Sequence, residues 1–181
     1  MILILFRSVT QILCIFRVII ILAVQINADK LEYIPILTDR QQMAPYLNDE
    51  FVRMVIDTYE VFYPKVGYYP PWIGYLAIYD GTVVGVGGYK GPPVKRTVEI
   101  AYGSIPKYEG QGVSTQTCRY LTRLALTHAP DIRVTARTLM SESASTSILR
   151  KNGFVYVGIV DDPEDGDVWE WEFKSEGEKA R

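Results

Sequence analysis

Apolar and polar residues along this chain fall into runs of two periods, one suited to strands and one to helices. Leu31 to Leu37 reads as a strand, and Thr38 and Asp39 are good N-caps for a short helix that Pro45 limits. Asn48 or Asp49 caps a second helix, Glu50 to about Tyr63, in which Phe51, Val55, Thr58 or Tyr59 and Phe62 recur at three- and four-residue steps. Pro64 to Pro71 is a loop. Ile73 to Tyr79 is a strand, Asp80-Gly81 a two-residue hairpin signal, and Thr82 to Tyr89 the return strand. Gly91-Pro92-Pro93 breaks that strand, and Thr97 to Ile105 follows as the central one. Pro106-Lys107-Tyr108 turns the chain into a glycine pair, Gly110 and Gly112. Behind them comes a helix with Val113, Cys118, Tyr120, Leu121, Leu124, Ala125 and His128 at helical spacing. Asp131 to Arg137 alternates as a strand does. Ser141 to Lys151 is a helix closed by Asn152-Gly153, a C-cap signature. Val155 to Val160 and Val168 to Lys174 are the last strands, joined by a turn over Asp161 to Gly166. The predicted order is β-α-α-β-β-β-α-β-α-β-β.

Residues 1–30 stand outside this pattern, and 175–181 form a polar C-terminal tail. Arg7 and Arg17 precede the apolar run Val18 to Val24, which is short for a span of about 20 residues. A basic start, a short apolar run and a small residue at Ala28 resemble a signal peptide. Read as an anchor, the arginines would sit on the inner side of the membrane and the domain on the outer side. A third reading is a translated upstream region ahead of the true start. Membrane contact is expected only if this leader is retained.

With 181 residues, 48% of them hydrophobic, the chain has enough apolar surface for one well-filled domain, here 31–174. A net charge of −2 and a pI near 5.5 argue against a nucleic-acid surface. Cys14 and Cys118, the only cysteines, do not make a disulfide framework, and with a single His they offer no zinc site, so no metal is expected.

The chemistry concentrates between Thr97 and Pro130. A strand, a glycine-rich turn and a helix aim free backbone N–H groups at one point, and the helix dipole adds positive potential there. Such a terminus suits a phosphate or pyrophosphate. Gly110 and Gly112 let the backbone approach it, and Ser114 and Thr115 add hydroxyls. The turn is neither a P-loop, since no Gly-Lys-Ser/Thr follows, nor G-x-G-x-x-G.

Glu99-Ile100-Ala101-Tyr102 followed by Pro106 to Gly112 resembles the acetyl-CoA-binding motif of the GNAT (GCN5-related N-acetyltransferase) superfamily, Gln/Arg-x-x-Gly-x-Gly/Ala. Its defining positions hold Glu109, Gly112 and Ser114 here. Downstream, Ser143 to Phe154 resembles the family's Asn-x-x-Ser … Leu-x-Lys-x-Gly-Phe helix and turn. The resemblance implies an α/β (α+β) GNAT fold, a mixed, mostly antiparallel sheet of about six to seven strands with helices on both faces. It also implies acetyl-CoA as co-substrate and an N-acetyltransferase that acts on a primary amine, a small molecule or a peptide N-terminus, by direct attack in a ternary complex. A cytoplasmic protein follows, unless the leader anchors or exports it, and a homodimer is a possible assembly.

By position the resemblance assigns cofactor contacts to Ile105, Gly110, Gln111, Gly112, Val113, Ser114 and Ser143. It assigns the catalytic base to Glu99, on the central strand where some relatives carry a catalytic glutamate. An exposed or structural Glu99 is the competing reading. Two departures matter. Glu109 puts a carboxylate near the phosphates, unfavourable unless it points to solvent, and Leu149 stands where many relatives have a tyrosine acid. Those departures keep open a degenerate domain that binds CoA or acyl-CoA as a sensor or docking module. Tyr59, Tyr63, Tyr69 and Trp72 form the expected acceptor pocket, since aromatics with polar tips can enclose an apolar group or stack on a cation. Ordinary core and loop packing is the competing reading, and the better one for any single residue among them.

Overall fold

The computed structural model describes residues 25–175. Its elements are β1 (Glu32–Pro35), α1 (Glu50–Val66), β2 (Gly74–Tyr79), β3 (Thr82–Tyr89), β4 (Thr97–Ser104), α2 (Val113–His128), β5 (Arg133–Thr138), α3 (Ala144–Lys151), β6 (Phe154–Asp162) and β7 (Gly166–Phe173). The strands form one seven-stranded sheet in the order β1-β2-β3-β4-β5-β7-β6. Every neighbouring pair is antiparallel except β4–β5. The fold class read from the sequence is therefore the one observed. The leader through Val24 and the tail from Glu176 lie outside the described residues. No helix among the described residues is long and apolar enough to cross a membrane.

One predicted element does not form. The stretch after Asp39 makes successive turns and a single 3-10 turn, Ala44–Tyr46, instead of an α-helix. Asp39 caps as expected, its carboxylate accepting from the Gln41 N–H at 2.9 Å. Pro45 arrives too soon for the ladder to grow, because it has no N–H to give. The next helix, α1, begins where predicted, with Asp49 accepting from the N–H groups of Phe51 and Val52. It runs three residues further, through Pro64 to Val66, because the missing proline donor falls in the last turn and Gly67 closes the helix onto the Tyr63 carbonyl at 2.8 Å. Both residues of the Asp80-Gly81 hairpin have positive φ, 47° and 71°, as a two-residue turn matched to strand twist requires.

Small residues in β2 and β3 decide how closely the helices approach. A Cβ on Gly87 would lie 2.5 Å from Thr117 Cγ2 of α2, and one on Gly85 would lie 2.6 Å from Val113 Cγ1. On the opposite face a Cβ on Gly88 would lie 2.5 Å from the Tyr59 hydroxyl of α1. The two helices thus clamp the first half of the sheet from both sides. The core between them includes Ile56, Leu76, Ile100, Leu121 and Trp171.

The β4–β5 pairing is brief: Thr97 with Arg133, Val98 with Val134, and Glu99 with Thr135. Beyond Glu99, β4 stays on β3 as far as Ser104 while β5 turns to β7. A wedge opens between two strands that began as partners, with Glu99 at its apex and the glycine turn at the far end of β4.

Candidate active site

Ile105 follows β4, with its N–H donated to the Val84 carbonyl at 3.0 Å and its own carbonyl accepting from Tyr108. The chain then passes through a 3-10 turn, Pro106–Tyr108, to Gly112, the N-cap of α2. Gly112 has φ 82° and Gly110 φ 73°, left-handed conformations that a side chain resists. No side chain caps α2 and no acid sits in its first turn. The first intrahelical bond is Gln116 N–H to the Gly112 carbonyl, 3.0 Å, so the N–H groups of Val113, Ser114 and Thr115 have no helical acceptor. This terminus fits an anion. Glu109 is exposed, which removes the electrostatic objection to it.

Two side chains of the turn are already committed. Ser114 Oγ shares a 2.7 Å hydrogen bond with Ser104 Oγ, tying the end of β4 to α2. Gln111 Oε1 accepts from the Ile26 N–H at 3.0 Å, and the Gln116 amide donates to the Asp29 carboxylate. Ile26 also packs beside Ala77, Val84 and Val113. The described chain therefore packs on the glycine turn from Ile26 onward, ahead of Leu31; no hydrophobic period marks those residues.

Backbone direction along β4 follows from two bonds. The Glu99 carbonyl accepts from Lys90 N–H at 2.9 Å, and Ile105 N–H goes to Val84. Residues of that parity face β3, so Ile100, Tyr102 and Ser104 turn their N–H and C=O groups toward the wedge. Ile105 lies on the wrong side to offer its backbone there, a fact of register that the sequence does not display. Ser143 is the N-cap of α3, in a reciprocal capping box with Thr146. Its hydroxyl accepts from the Thr146 N–H, whereas Ser145 lines the wedge.

At the apex the wedge becomes a cleft of about 240 Å³, lined by Glu99, Tyr102, Arg137 and Ser145 among others. Glu99 is 15% exposed, with Lys90 Nζ at 3.4 Å and Arg137 Nε at 3.2 Å from its oxygens. Arg137 also donates through Nη1 to Asp162 Oδ2 at 2.8 Å. The other Asp162 oxygen accepts from the N–H of Glu164, 3.0 Å away. Thus the end of β3, the centre of β4 and β5, and the β6–β7 turn are joined by one alternating set of charges. The Tyr102 hydroxyl lies buried near the Cys118 thiol without a well-aligned hydrogen bond. Burial pushes its pKa up, so it keeps its proton, and pushes the Cys118 thiol up to about 12. Leu149, 1% exposed, is a core residue and supplies no proton.

The Glu164 N–H and the Arg137 guanidinium lower the Asp162 pKa from its ordinary 3.8 to about 2. A carboxyl with a depressed folded-state pKa contributes stability that is complete above the unfolded value and lost as pH falls through the folded one. Melting midpoints taken on acidification should therefore fall between about pH 4 and pH 2, with part of that slope due to Asp162. D162N is expected to melt lower at neutral pH and to show a shallower acid slope. Parallel acid slopes in the two proteins would show that the clamp does not couple to folding.

The four aromatics divide. Tyr63 is buried in the core, its hydroxyl donating to the Ile36 carbonyl at 2.8 Å and accepting from Gly74 N–H at 3.1 Å. Tyr59 packs on it with ring centroids 5.1 Å apart and covers Gly74 and Gly88. Trp72 meets Tyr89 edge-on at 5.2 Å. Tyr69, 57% exposed, is the one of the four that faces solvent. A groove of about 740 Å³ runs instead along the outer face of α1, past exposed Met54 and Val61, to Glu164 of the β6–β7 turn. Sequence reasoning missed it because its two sides are about 100 residues apart in the chain.

Residues 20–155 match the family description "Acetyltransferase (GNAT) domain". No curated protein sequence matches the chain. Among solved structures, a ribosomal L7/L12 α-N-protein acetyltransferase in complex with coenzyme A is 22% identical, with a TM-score of 0.52 over 68% of this chain and 71% of that one. The aminoglycoside acetyltransferase AAC(6')-Ib in complex with paromomycin and acetyl-CoA is 16% identical, with a TM-score of 0.60 over 83% and 96% of the two chains. A spermidine N-acetyltransferase chimera from Vibrio cholerae and hSSAT is 14% identical, also at 0.60, over 84% and 99%. With a glycine cradle at one end of a wedge between β4 and β5, and a family match over most of its length, the chain belongs to the GNAT acetyltransferase family.

Proposed function

We propose that this protein transfers an acetyl group from acetyl-CoA to a primary amine, on a small molecule or a peptide N-terminus, by direct attack in a ternary complex. The observation that carries the reading is the wedge itself. Its far end is an uncapped helix terminus that fits a pyrophosphate, its wall is unpaired β4 backbone, and its apex holds a carboxylate between two cations. The solved structures it resembles include a ribosomal protein α-N-acetyltransferase, an aminoglycoside acetyltransferase and a spermidine N-acetyltransferase, whose acceptors are amines.

Bound acetyl-CoA supplies the activated thioester. Val113, Ser114 and Thr115 hold the pyrophosphate through backbone N–H groups, and Gly110 and Gly112 keep side chains out of its way. Ile100, Tyr102 and Ser104 give main-chain partners to the pantetheine arm. The Ile100 N–H, next to Glu99, is a fixed donor for negative charge that develops at the apex. Glu99 would accept the amine proton, directly or through a water, as the C–N bond forms, and return it by the same route to the CoA sulfur as the C–S bond breaks, while Lys90 and Arg137 keep the carboxylate in place. The acceptor approaches over the face that carries α1 and the β6–β7 turn, which Arg137 and Asp162 fasten down. Acetyl-CoA dependence would place the reaction in the cytoplasm.

One observation favours the binding-only alternative: each Glu99 oxygen has a cation within 3.4 Å, and Leu149 leaves α3 without an acid. Calorimetric titration of the full chain with acetyl-CoA, followed by thiol release against peptides, polyamines and aminoglycosides, separates the readings. Binding with amine-dependent release is the expected result. Binding without release against every amine would support the sensor, and no binding would remove both.

A further inference from the structure

β6 is the outermost strand of the sheet and nine residues long, with one edge paired to β7 and the other free. Of the nine large apolar side chains that stand well exposed among the described residues, three lie within four positions on it: Tyr156, Val157 and Ile159. Tyr156 and Ile159 pair with Trp171 and Trp169 of β7, so these four make one apolar face at the rim of the sheet. A long free edge is a template for another strand, and soluble proteins blunt such edges with charged residues or prolines. Neither occurs between Phe154 and Val160.

The charges lie instead at the two ends. Arg150 and Lys151 precede the strand, and Asp161, Asp162, Glu164 and Asp165 close it. Arg150 and Asp162 are held within the chain by Glu142 and Arg137. Lys151, Glu164 and Asp165 are exposed and form no ion pair among the described residues. An edge that is basic at one end, apolar in the middle and acidic at the other complements itself when a two-fold axis turns it end for end.

The backbone fixes how two such edges would meet. Lys174 N–H donates to the Gly153 carbonyl at 3.1 Å, so Gly153 and Val155 face β7 while Phe154 and Tyr156 turn their N–H and C=O groups outward. The register shift between Tyr156 and Gly158 inserts Val157 and reverses that parity, so Gly158 faces β7 opposite Glu170, and Ile159 and Asp161 face out. One antiparallel register matches all four outward residues: Tyr156 with the partner's Ile159, and Phe154 with the partner's Asp161. In it the two bulges meet at the axis. A bulged strand would lose step with a regular one, but it keeps step with its own copy. The same register, continued past the strand ends, sets Lys151 against the partner's Glu164.

We propose that β6 pairs antiparallel with β6 of a second copy, about a two-fold axis at the Val157–Gly158 bulge, and so joins the two sheets into one. Glu164 also lines the groove along α1, so the second copy borders the face over which the acceptor approaches.

The test is sedimentation equilibrium of the full-length protein, which should return the mass of two chains. I159K places a charge at the apolar centre of the contact on a side chain that is 54% exposed, so it should sediment as one chain with an unchanged circular dichroism spectrum. K151E and E164K should each raise the dimer dissociation constant about tenfold or more, because every reversal acts twice across the axis. The two positions lie at opposite ends of β6 and cannot meet within one chain, so recovery of the dimer in K151E/E164K, or in an equimolar mixture of the two single variants, reports the contact between copies. A single-chain mass for wild type would overturn the inference. A dimer that survives I159K would put the contact elsewhere and overturn it as well. Loss of the dimer in I159K without recovery in K151E/E164K would overturn the register.

Discussion

Glu99→Gln is expected to lower kcat for acetyl transfer by about 100- to 10,000-fold, the range a positioned general base contributes, with acetyl-CoA affinity unchanged. The residue occupies the last β4–β5 pair before the strands part, so its side chain reaches the apex of the wedge from a rigid strand. The amide keeps the shape of the carboxylate and removes its charge and its capacity to take a proton. Folding has little to lose, because Arg137 retains Asp162 at 2.8 Å and Lys90 is 45% exposed. A collapse of kcat at constant melting temperature would isolate the chemistry. A variant that melts lower but keeps its turnover would make Glu99 a structural anchor for Arg137, and would leave the base to water or another group. Arg137→Gln helps to separate the two. It leaves Lys90 as the one remaining link between Glu99 and Asp162 and removes the guanidinium hold on the β6–β7 turn, so it should raise KM for the amine as well as lower kcat, whereas Glu99→Gln acts on kcat. Identical effects of the two changes would contradict the separate roles.

What could be read from the sequence was what is local. The Asp80-Gly81 hairpin, the glycine entry to α2 and the Ser143 cap each depend on a few adjacent residues whose backbone preferences act alone. What could not be read depends on register or on distant partners. Ile105 and Tyr102 differ as partners for a bound arm only because β4 pairs with β3 in one particular register. The charge set at the apex joins Lys90, Glu99, Arg137 and Asp162 from four separate segments, and no periodicity links them. The run of aromatics from Tyr59 to Trp72 has the composition of a pocket. Tyr59 instead fills the space that Gly74 and Gly88 leave beneath α1, Tyr63 is bonded into the core and Trp72 packs on Tyr89. The short helix expected after Asp39 fails for the opposite reason: its cap is correct, but Pro45 ends it before a turn of α-helix can pay back its nucleation.

Gly112→Val should weaken acetyl-CoA binding by about 10- to 100-fold, the equivalent of about 1–3 kcal/mol of backbone strain made to compete with the cradle conformation. Gly112 holds φ 82° as the N-cap of α2, a conformation that a β-branched residue resists most strongly. Its Cβ would lie 3.4 Å from the Ala28 Cβ, an ordinary contact to which valine adds two further methyl groups. To relieve the strain the turn must rotate, and the N–H groups of Val113 to Thr115 then lose their common aim. Strain and obstruction can be told apart with Gly112→Asn, since asparagine tolerates the left-handed region far better than valine. If strain dominates, the asparagine variant should keep most of the affinity; if the side chain itself blocks the phosphates, both variants should lose it. Gly110 provides the internal comparison, with φ 73° and nothing within 4 Å of a built Cβ. Its alanine variant carries the strain without the contact and should fall between wild type and Gly112→Val. Full affinity in Gly112→Val would mean that the helix terminus is not where the nucleotide rests, and the assignment of the cradle would fall even though the fold would stand.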